Sequence, residues 1–208
     1  DGPVEDYKKL LNGVQLWDVG VERQVQIKGP DAEALSQFLT PRNIKKCSRG
    51  QAMYAPLLDF KGGFINDPVM LKIDEDCYWF SLADGDALLW VQAIAAGYKF
   101  NADIHEPDVS PLQVQGPNST KLMVKVFGDW VNDLGFYRFK EVNHEGIPMV
   151  IARMGYSKEL CYEIFLQDHS KGNELWEMLW QAGQDLNISP GSPNIILRLE
   201  GGILSYLA

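Results

Sequence analysis

Cysteine is scarce in this sequence and is never paired: Cys47, Cys77 and Cys161 stand far apart, with no Cys-x-x-Cys. That spacing favours a reducing, cytoplasmic compartment in which thiols serve as small apolar groups. No run of about 20 apolar residues occurs, so no transmembrane helix is expected. The opening stretch DGPVEDYKKLL has no apolar signal core. Histidine is rare too; His105, His144 and His169 show no ligand spacing. His169 follows Asp168 near a helix start and reads as a surface residue. The phosphate-binding P-loop, a Gly-x-Gly-x-x-Gly after a strand and His-Glu-x-x-His are all missing. No serine stands in a hydrolase context. Metal and nucleophilic catalysis are therefore poor expectations.

Positive charge is also short. The 208 residues carry 19 bases against 28 acids, a net charge of −9. A nucleic-acid surface needs clustered Lys and Arg, and the one basic run, RNIKKCSR (Arg42 to Arg49), reads as a solvated loop. What remains is ordinary for a globular chain: 46% hydrophobic and 23% charged residues. The length suits one large domain or two small ones. Asn118 and Asn187 open glycosylation sequons, read as chance matches without a secretion signal. The sequence stops on GGILSYLA, an apolar run without a cap, as expected of a fragment of a longer protein.

The sequence repeats its own grammar. In RQVQIKGPDAEALSQFL (Arg23 to Leu39) a short alternating strand leads through Gly-Pro-Asp into a helical pattern. PLQVQGPNSTKLMVKVF (Pro111 to Phe127) does the same. Val25 and Ile27, like Leu112 and Val114, alternate with polar residues at the period of a half-covered strand. Asp31 and Asn118 are placed to accept bonds from the first free amides of each helix. Several strands and a second helix follow in each case, DALLWVQAIAAG and NELWEMLWQAG. Trp176 and Trp180 have helical spacing in the latter and read as core. The expected class is α+β: two ferredoxin-like β-α-β halves with antiparallel sheets, about 19–97 and 111–183, joined by a linker NADIHEPDVS. A groove between such halves is where pockets tend to form.

Two carboxylates sit oddly against apolar strands. Asp67 interrupts KGGFINDPVMLKI just as a buried strand begins, with Gly62-Gly63 as the hairpin turn. Glu163 lies inside LCYEIFL, where alternation puts Cys161, Glu163 and Phe165 on one face and Tyr162, Ile164 and Leu166 on the other. One reading leaves Glu163 on a solvated face or paired with an arginine such as Arg153. The other has both carboxylates lining a pocket and accepting bonds from a ligand rich in N–H donors, such as the amidine-like edge of a pterin. Trp130, in FGDWVNDLGFYRF, either plugs the edge of the core or offers a face to a flat ligand or a cation.

Taken in order, LWDVGVERQVQIKGPDA, GGFINDPVMLKI, LQVQGPNS, GYSKELCYEIFL and LRLEGG resemble the folate-binding domain of the glycine-cleavage T-protein (aminomethyltransferase) family. The resemblance runs from about Gln15 to Tyr206. It implies tetrahydrofolate as a one-carbon acceptor and a folate groove between the two halves. It also implies a C-terminal barrel-like domain beyond this chain. Asp67 matches the second acid of the family's Gly-Gly-x-x-Asp-Asp motif, the catalytic carboxylate. Glu163 matches the pterin-contacting glutamate, and Tyr54, Val69, Phe136, Tyr137 and Tyr156 fall where the family lines folate.

Departures bear on the donor. Asn66 replaces an aspartate of the T-protein proper, Gly-Tyr-Ser-Lys-Glu-Leu-Cys replaces Gly-Tyr-Thr-Gly-Glu-Asp-Gly, and Asn194 replaces an arginine. The forms FINDPV, SLADGDALLW and PNIILRLEGG look most like the dimethylsulfoniopropionate demethylase branch. That likeness implies a methyl transfer from a small sulfonium, with Trp130 and Phe165 matching donor-holding aromatics of the branch. Phe165 stands where the branch has a tyrosine. The alternatives are an aminomethyltransferase, a folate-dependent demethylase of another donor, and a folate-binding regulator without turnover. The expected partner is a small molecule rather than a nucleic acid or a membrane, with a homodimer as the candidate assembly.

Overall fold

The structure is a computed structural model and describes residues 2–204. Helix α1 (Pro3–Asn12) leads into strands β1 (Val14–Asp18) and β2 (Gln24–Lys28), then helix α2 (Ala32–Leu39). Strands β3 (Ala52–Tyr54), β4 (Leu57–Leu58), β5 (Phe64–Asn66), β6 (Val69–Asp74) and β7 (Cys77–Ser81) follow, then α3 (Leu88–Tyr98) and β8 (Asp103–His105). Strand β9 (Ser110–Gln115) and helix α4 (Ser119–Phe127) come next, then β10 (Phe139–His144), β11 (Ile147–Ala152) and β12 (Cys161–Leu166). The last elements are α5 (Gly172–Ala182), β13 (Ile188–Gly191) and α6 (Ile195–Glu200). The class is α+β, as the alternation of short strand and helix patterns predicts. No helix among the described residues is long and apolar enough to cross a membrane.

The chain divides into two compact units, one of Val21–Val109 and one in which the N-terminal stretch up to Gly20 joins Ser110–Leu204. The first unit holds an antiparallel sheet in the order β3-β6-β7-β2-β8 and the β4-β5 hairpin. Val25, Ile27, Met70, Tyr78 and Phe80 project from its sheet into a core shared with Leu35 of α2 and Val91 of α3. The second unit holds a six-stranded sheet, β10-β11-β12-β9-β1-β13. Leu112, Val114, Met149, Ile151, Tyr162 and Ile164 form its core with Leu122 of α4 and Leu175 and Leu179 of α5. Strand for strand the two orders correspond, with one difference. β1, from the N-terminal stretch, is inserted between β9 and β13, antiparallel to the first and parallel to the second.

The turn that ends β2 recurs after β9. Gly29 (φ 134°) and Gly116 (φ 117°) have backbones that side chains rarely tolerate, and a Cβ at Gly116 would lie 2.6 Å from the Gly13 carbonyl oxygen. Asp31 and Asn118 stand at the N-cap positions of α2 and α4, but neither side chain caps. Their ψ angles, 14° and 3°, are not the extended ones of a capping residue, so the side chains point elsewhere. Asp31 Oδ2 accepts from the Asn101 amide at 2.7 Å, and Asn118 Nδ2 donates to the Leu186 carbonyl at 3.1 Å. Each thus fastens the start of the helix that follows this turn to the segment before its unit's last strand.

Two other expectations are corrected. The stretch predicted as a linker contains β8, which pairs with β2 through Gln26, Ile27 and Lys28. Backbone pairing at a sheet edge leaves little periodic signal in three residues. β9 is not half-covered: Gln113 and Gln115 are as buried as Leu112 and Val114. It runs between β12 and β1, and its polar side chains bond one another instead of water.

Candidate functional site

Asp67 lies where the chain leaves the β4-β5 hairpin and enters the larger sheet. The hairpin turn closes on Asp59, whose Oδ1 accepts from the Lys61 and Gly63 amides at 2.8 and 2.7 Å. Gly62 takes a positive φ of 84° there, the turn chemistry that the two glycines predict. At the far end of β5, Asn66 is fully buried. Its amide donates to the Asp84 carbonyl, and its Oδ1 accepts from the Ala83 amide at 3.2 Å. The side chain therefore both gives and takes a bond in stapling the 82–85 loop. An aspartate would lose the donor and set a carboxylate against a carbonyl oxygen. Asn66→Asp is expected to lower the unfolding free energy by about 1–3 kcal/mol, read as a shift in a denaturant midpoint.

Asp67 itself is buried, and Tyr54 and Val69 are register partners across β3 and β6. Three residues that the resemblance put forward thus lie together. The Tyr54 hydroxyl is buried and has no hydrogen-bond partner among the described residues. Burial raises its pKa, the Asp67 charge adds to the rise, and Arg42 acts against it. A donor held beside a buried carboxylate, with its own bond unmade, is a place for a polar ligand atom.

Glu163 is not on a solvated face. It is 8% exposed at the centre of β12, and its Oε1 accepts from Gln113 Nε2 at 3.0 Å across the strand pair. Arg153 does not pair with it; the guanidinium donates to the Leu134 carbonyl at 3.0 Å. Burial pushes the Glu163 carboxyl up to about 7. Cys161, on the same face, is pushed up to about 12 by burial first and by the Glu163 charge second, so its thiol stays protonated and unreactive. All three cysteines are buried and none is in a disulfide.

The aromatics separate into different places. Phe165 shares the face of Glu163 but is fully buried. Phe136 and Tyr137 meet edge to face at 4.6 Å, with Phe136 65% exposed. Tyr137 has a positive φ of 56° and its amide donates to the Arg153 carbonyl. Tyr156 packs against Trp17, Leu10 and Leu197.

Trp130 packs on the helix-covered core with Tyr162 and Ile164, the strand face opposite Glu163. The sheet stands between the two. Its indole donates to the Phe127 carbonyl at 2.7 Å, and Lys140 Nζ lies 4.5 Å from the ring centroid. The core-edge reading of Trp130 is the one that the packing favours, and its cation is the protein's own lysine. Trp130→Ala is expected to cost about 2 kcal/mol or more in unfolding free energy and to leave donor binding unchanged. A loss of donor affinity at unchanged stability would reverse this assignment.

Sequence reasoning missed Gln113, which bonds Glu163, and Gln115 and Ser157, which continue the line from it. The signal was present: both glutamines alternate within an apolar strand at the spacing that Glu163 shows in its own. It also read Asn194 only as a departure. That side chain caps α6, accepting from the Ile196 and Leu197 amides at 3.0 and 3.4 Å, while its Nδ2 donates to Asp6 Oδ2 at 3.1 Å.

Known proteins resemble this chain throughout its length. Dimethylsulfoniopropionate demethylase DmdA of Ruegeria pomeroyi is 46% identical over 201 residues, which are 97% of this chain and 55% of that protein. An aminomethyltransferase of Halothermothrix orenii is 31% identical over 98% of this chain and 58% of its own. The glycine cleavage system aminomethyltransferase T of Bartonella henselae shares the fold, with a TM-score of 0.86 at 22% identity over 98% of this chain and 55% of that structure. The chain thus spans just over half the length of these proteins. The profile of the GCVT N-terminal domain matches residues 1–208, and the chain belongs to that family.

Proposed function

We propose that the protein containing this chain is a tetrahydrofolate-dependent methyltransferase that demethylates a small sulfonium, dimethylsulfoniopropionate. The likeness that carries the reading is the 46% identity to a dimethylsulfoniopropionate demethylase over nearly the whole chain. The residues fit a folate. A buried Tyr54 hydroxyl, without a hydrogen-bond partner among the described residues, lies beside the Asp67 charge and offers a polar contact. Glu163 offers a buried acceptor. When bound, tetrahydrofolate supplies N5 as the nucleophile that takes the methyl group.

The protein's part is positioning, which suits an in-line displacement. The bond from sulfur to the leaving methyl breaks, its electron pair stays on sulfur, and methylthiopropionate departs neutral at sulfur. One proton must leave N5, and Asp67 orients that N–H or takes the proton. Glu163 accepts N–H bonds from the pterin edge, while Tyr54, Val69, Phe136, Tyr137 and Tyr156 line it. Phe165 is fully buried and the Trp130 ring lies 4.5 Å from Lys140 Nζ, so these two aromatics do not carry the choice of donor. The donor is therefore assigned from the relative and not from a cage.

The full-length protein, given tetrahydrofolate and dimethylsulfoniopropionate, should yield 5-methyltetrahydrofolate and methylthiopropionate in equal amounts. The second reading is an aminomethyltransferase, favoured by the likeness to the Halothermothrix orenii protein. Turnover with an aminomethylated glycine-cleavage carrier protein, and none with the sulfonium, would establish that reading instead.

A further inference from the structure

On the face of the six-stranded sheet that carries Glu163, four side chains form a single line of hydrogen bonds. The Glu159 amide donates to Ser157 Oγ at 3.2 Å, and Ser157 Oγ donates to Gln115 Oε1 at 2.7 Å. Gln115 Nε2 donates to Gln113 Oε1 at 3.0 Å, and Gln113 Nε2 donates to Glu163 Oε1 at 3.0 Å. All four side chains are buried, none more than 8% exposed. β9 sets Gln113 directly opposite Glu163, and Gln115 follows two residues on, so the pleat delivers both amides to one face.

The polarity of this line is not arbitrary. A lone glutamine amide can be turned end for end at little cost. Here the line begins at a backbone N–H, which can only donate. With its oxygen already accepting that bond, Ser157 gives its single proton to Gln115. The carboxylate at the far end can only accept, so Gln113 turns its NH2 to Glu163 and its carbonyl to Gln115, and Gln115 in turn offers its NH2 to Gln113 and its carbonyl to the Ser157 proton. Turning Gln113 alone would oppose oxygen to carboxylate on one side and nitrogen to nitrogen on the other.

We propose that Gln113 is a positioning residue for Glu163, locked by Gln115 and Ser157 so that its N–H holds the buried carboxyl in the ionised, accepting form that a donor-rich ligand edge requires. This rests on the reading of Glu163 as the folate contact. A protonated carboxyl in this place would present a donor to donors. Burial alone drives Glu163 toward that state, and a charge-assisted bond from Gln113 opposes it. No charge stands directly opposite: the register partners of Glu163 are Gln113 on β9 and Ala152 on β11. The titratable neighbour on its own face is Cys161, and the charges of Arg153 and Glu159 both act on that thiol, in opposite directions.

The test uses the full-length protein and two readouts. The first is the titration midpoint of Glu163 in the ligand-free protein, followed by the infrared or carbon NMR signal of the labelled carboxyl. Gln113→Met should raise it by about one pH unit, a ten-fold change in the protonation equilibrium. Ser157→Ala should raise it by less, and Ser157→Thr, which keeps the hydroxyl, should restore it. The serine variants keep the proposal open to refutation even where Gln113→Met folds poorly. The second readout is tetrahydrofolate affinity in a double-mutant cycle. Gln113→Met should weaken binding about ten-fold alone and hardly at all in a Glu163→Gln background, because the two act as one unit. An unmoved midpoint, with equal losses of affinity in both backgrounds, would overturn the positioning role alone. Parental affinity in Glu163→Gln itself would overturn the folate reading of Glu163, and the positioning role with it.

Discussion

Asp67→Asn is expected to lower the turnover number by a factor of about 10²–10⁴, the range in which a positioned acid or base contributes. The tetrahydrofolate dissociation constant should change by much less. Asparagine is nearly the same size and keeps a carbonyl oxygen, so a hydrogen bond to a ligand N–H survives. What it loses is the charge and the ability to take a proton. Asp67 is buried beside Tyr54, whose hydroxyl feels its charge. Its neighbour Asn66 and the Gly62-Gly63 turn fix the backbone on its N-terminal side. The Ala55 amide holds the Pro68 carbonyl at 3.0 Å on the other. The fold should therefore tolerate the substitution. Rapid-quench turnover and equilibrium binding on the same preparations separate the two quantities. An unchanged turnover number would remove Asp67 from the proton path.

Glu163→Gln is expected to raise stability at pH 8 by about 2 kcal/mol while weakening tetrahydrofolate binding. The carboxyl is pushed from its ordinary 4.5 to about 7 by burial. At about 1.4 kcal/mol per pH unit, the largest linked effect is about 3 kcal/mol. The sign follows from proton counting. Between pH 4.5 and 7 the folded protein holds a proton on Glu163 that the unfolded chain has released, so stability falls as pH rises. The contribution is fully present below 4.5 and gone above about 7. A glutamine has no such slope. Its carbonyl oxygen can still accept from Gln113 Nε2, so no buried donor is orphaned. The difference between parent and variant in denaturant midpoints from pH 4.5 to 8 isolates this group from all others. A variant less stable than the parent at pH 8 would show that ionised Glu163 is compensated more fully than its burial indicates. Stability traded for ligand binding is the usual signature of a charge kept buried for function.

Much of this is legible in the sequence. The turn at Gly62-Gly63, the two strand-turn-helix openings and the repeated order of elements follow from local chemistry: period-2 alternation, helical spacing and glycine at positive φ. Asp67 and Glu163 were conspicuous because a carboxylate among strand-forming apolar residues breaks the binary pattern. Less legible was anything that depends on who lies beside whom in the sheet. β8 hid inside a polar stretch because three paired residues carry no period. Gln113 and Gln115 looked like a wet face because a lone strand cannot reveal that both its neighbours are present. Trp130 looked suited to a ligand because its polar flanks are those of a short 3₁₀ turn, which buries one side chain while exposing the rest.

By itself the sequence determined the element types, the α+β class and the identity of the two unusual acids, since these rest on interactions within a few residues. Only the tertiary structure decided that β1 crosses into the second unit's sheet and covers β9. The pairing of β9 with β12 on its other edge sets Gln113 opposite Glu163 and gives the carboxyl a directed donor. The tertiary structure also decided that Trp130 and Glu163 lie on opposite faces of one sheet. The reason is common to both: strand order and register are set by pairing between residues distant in sequence, and a side chain's surroundings follow from that pairing.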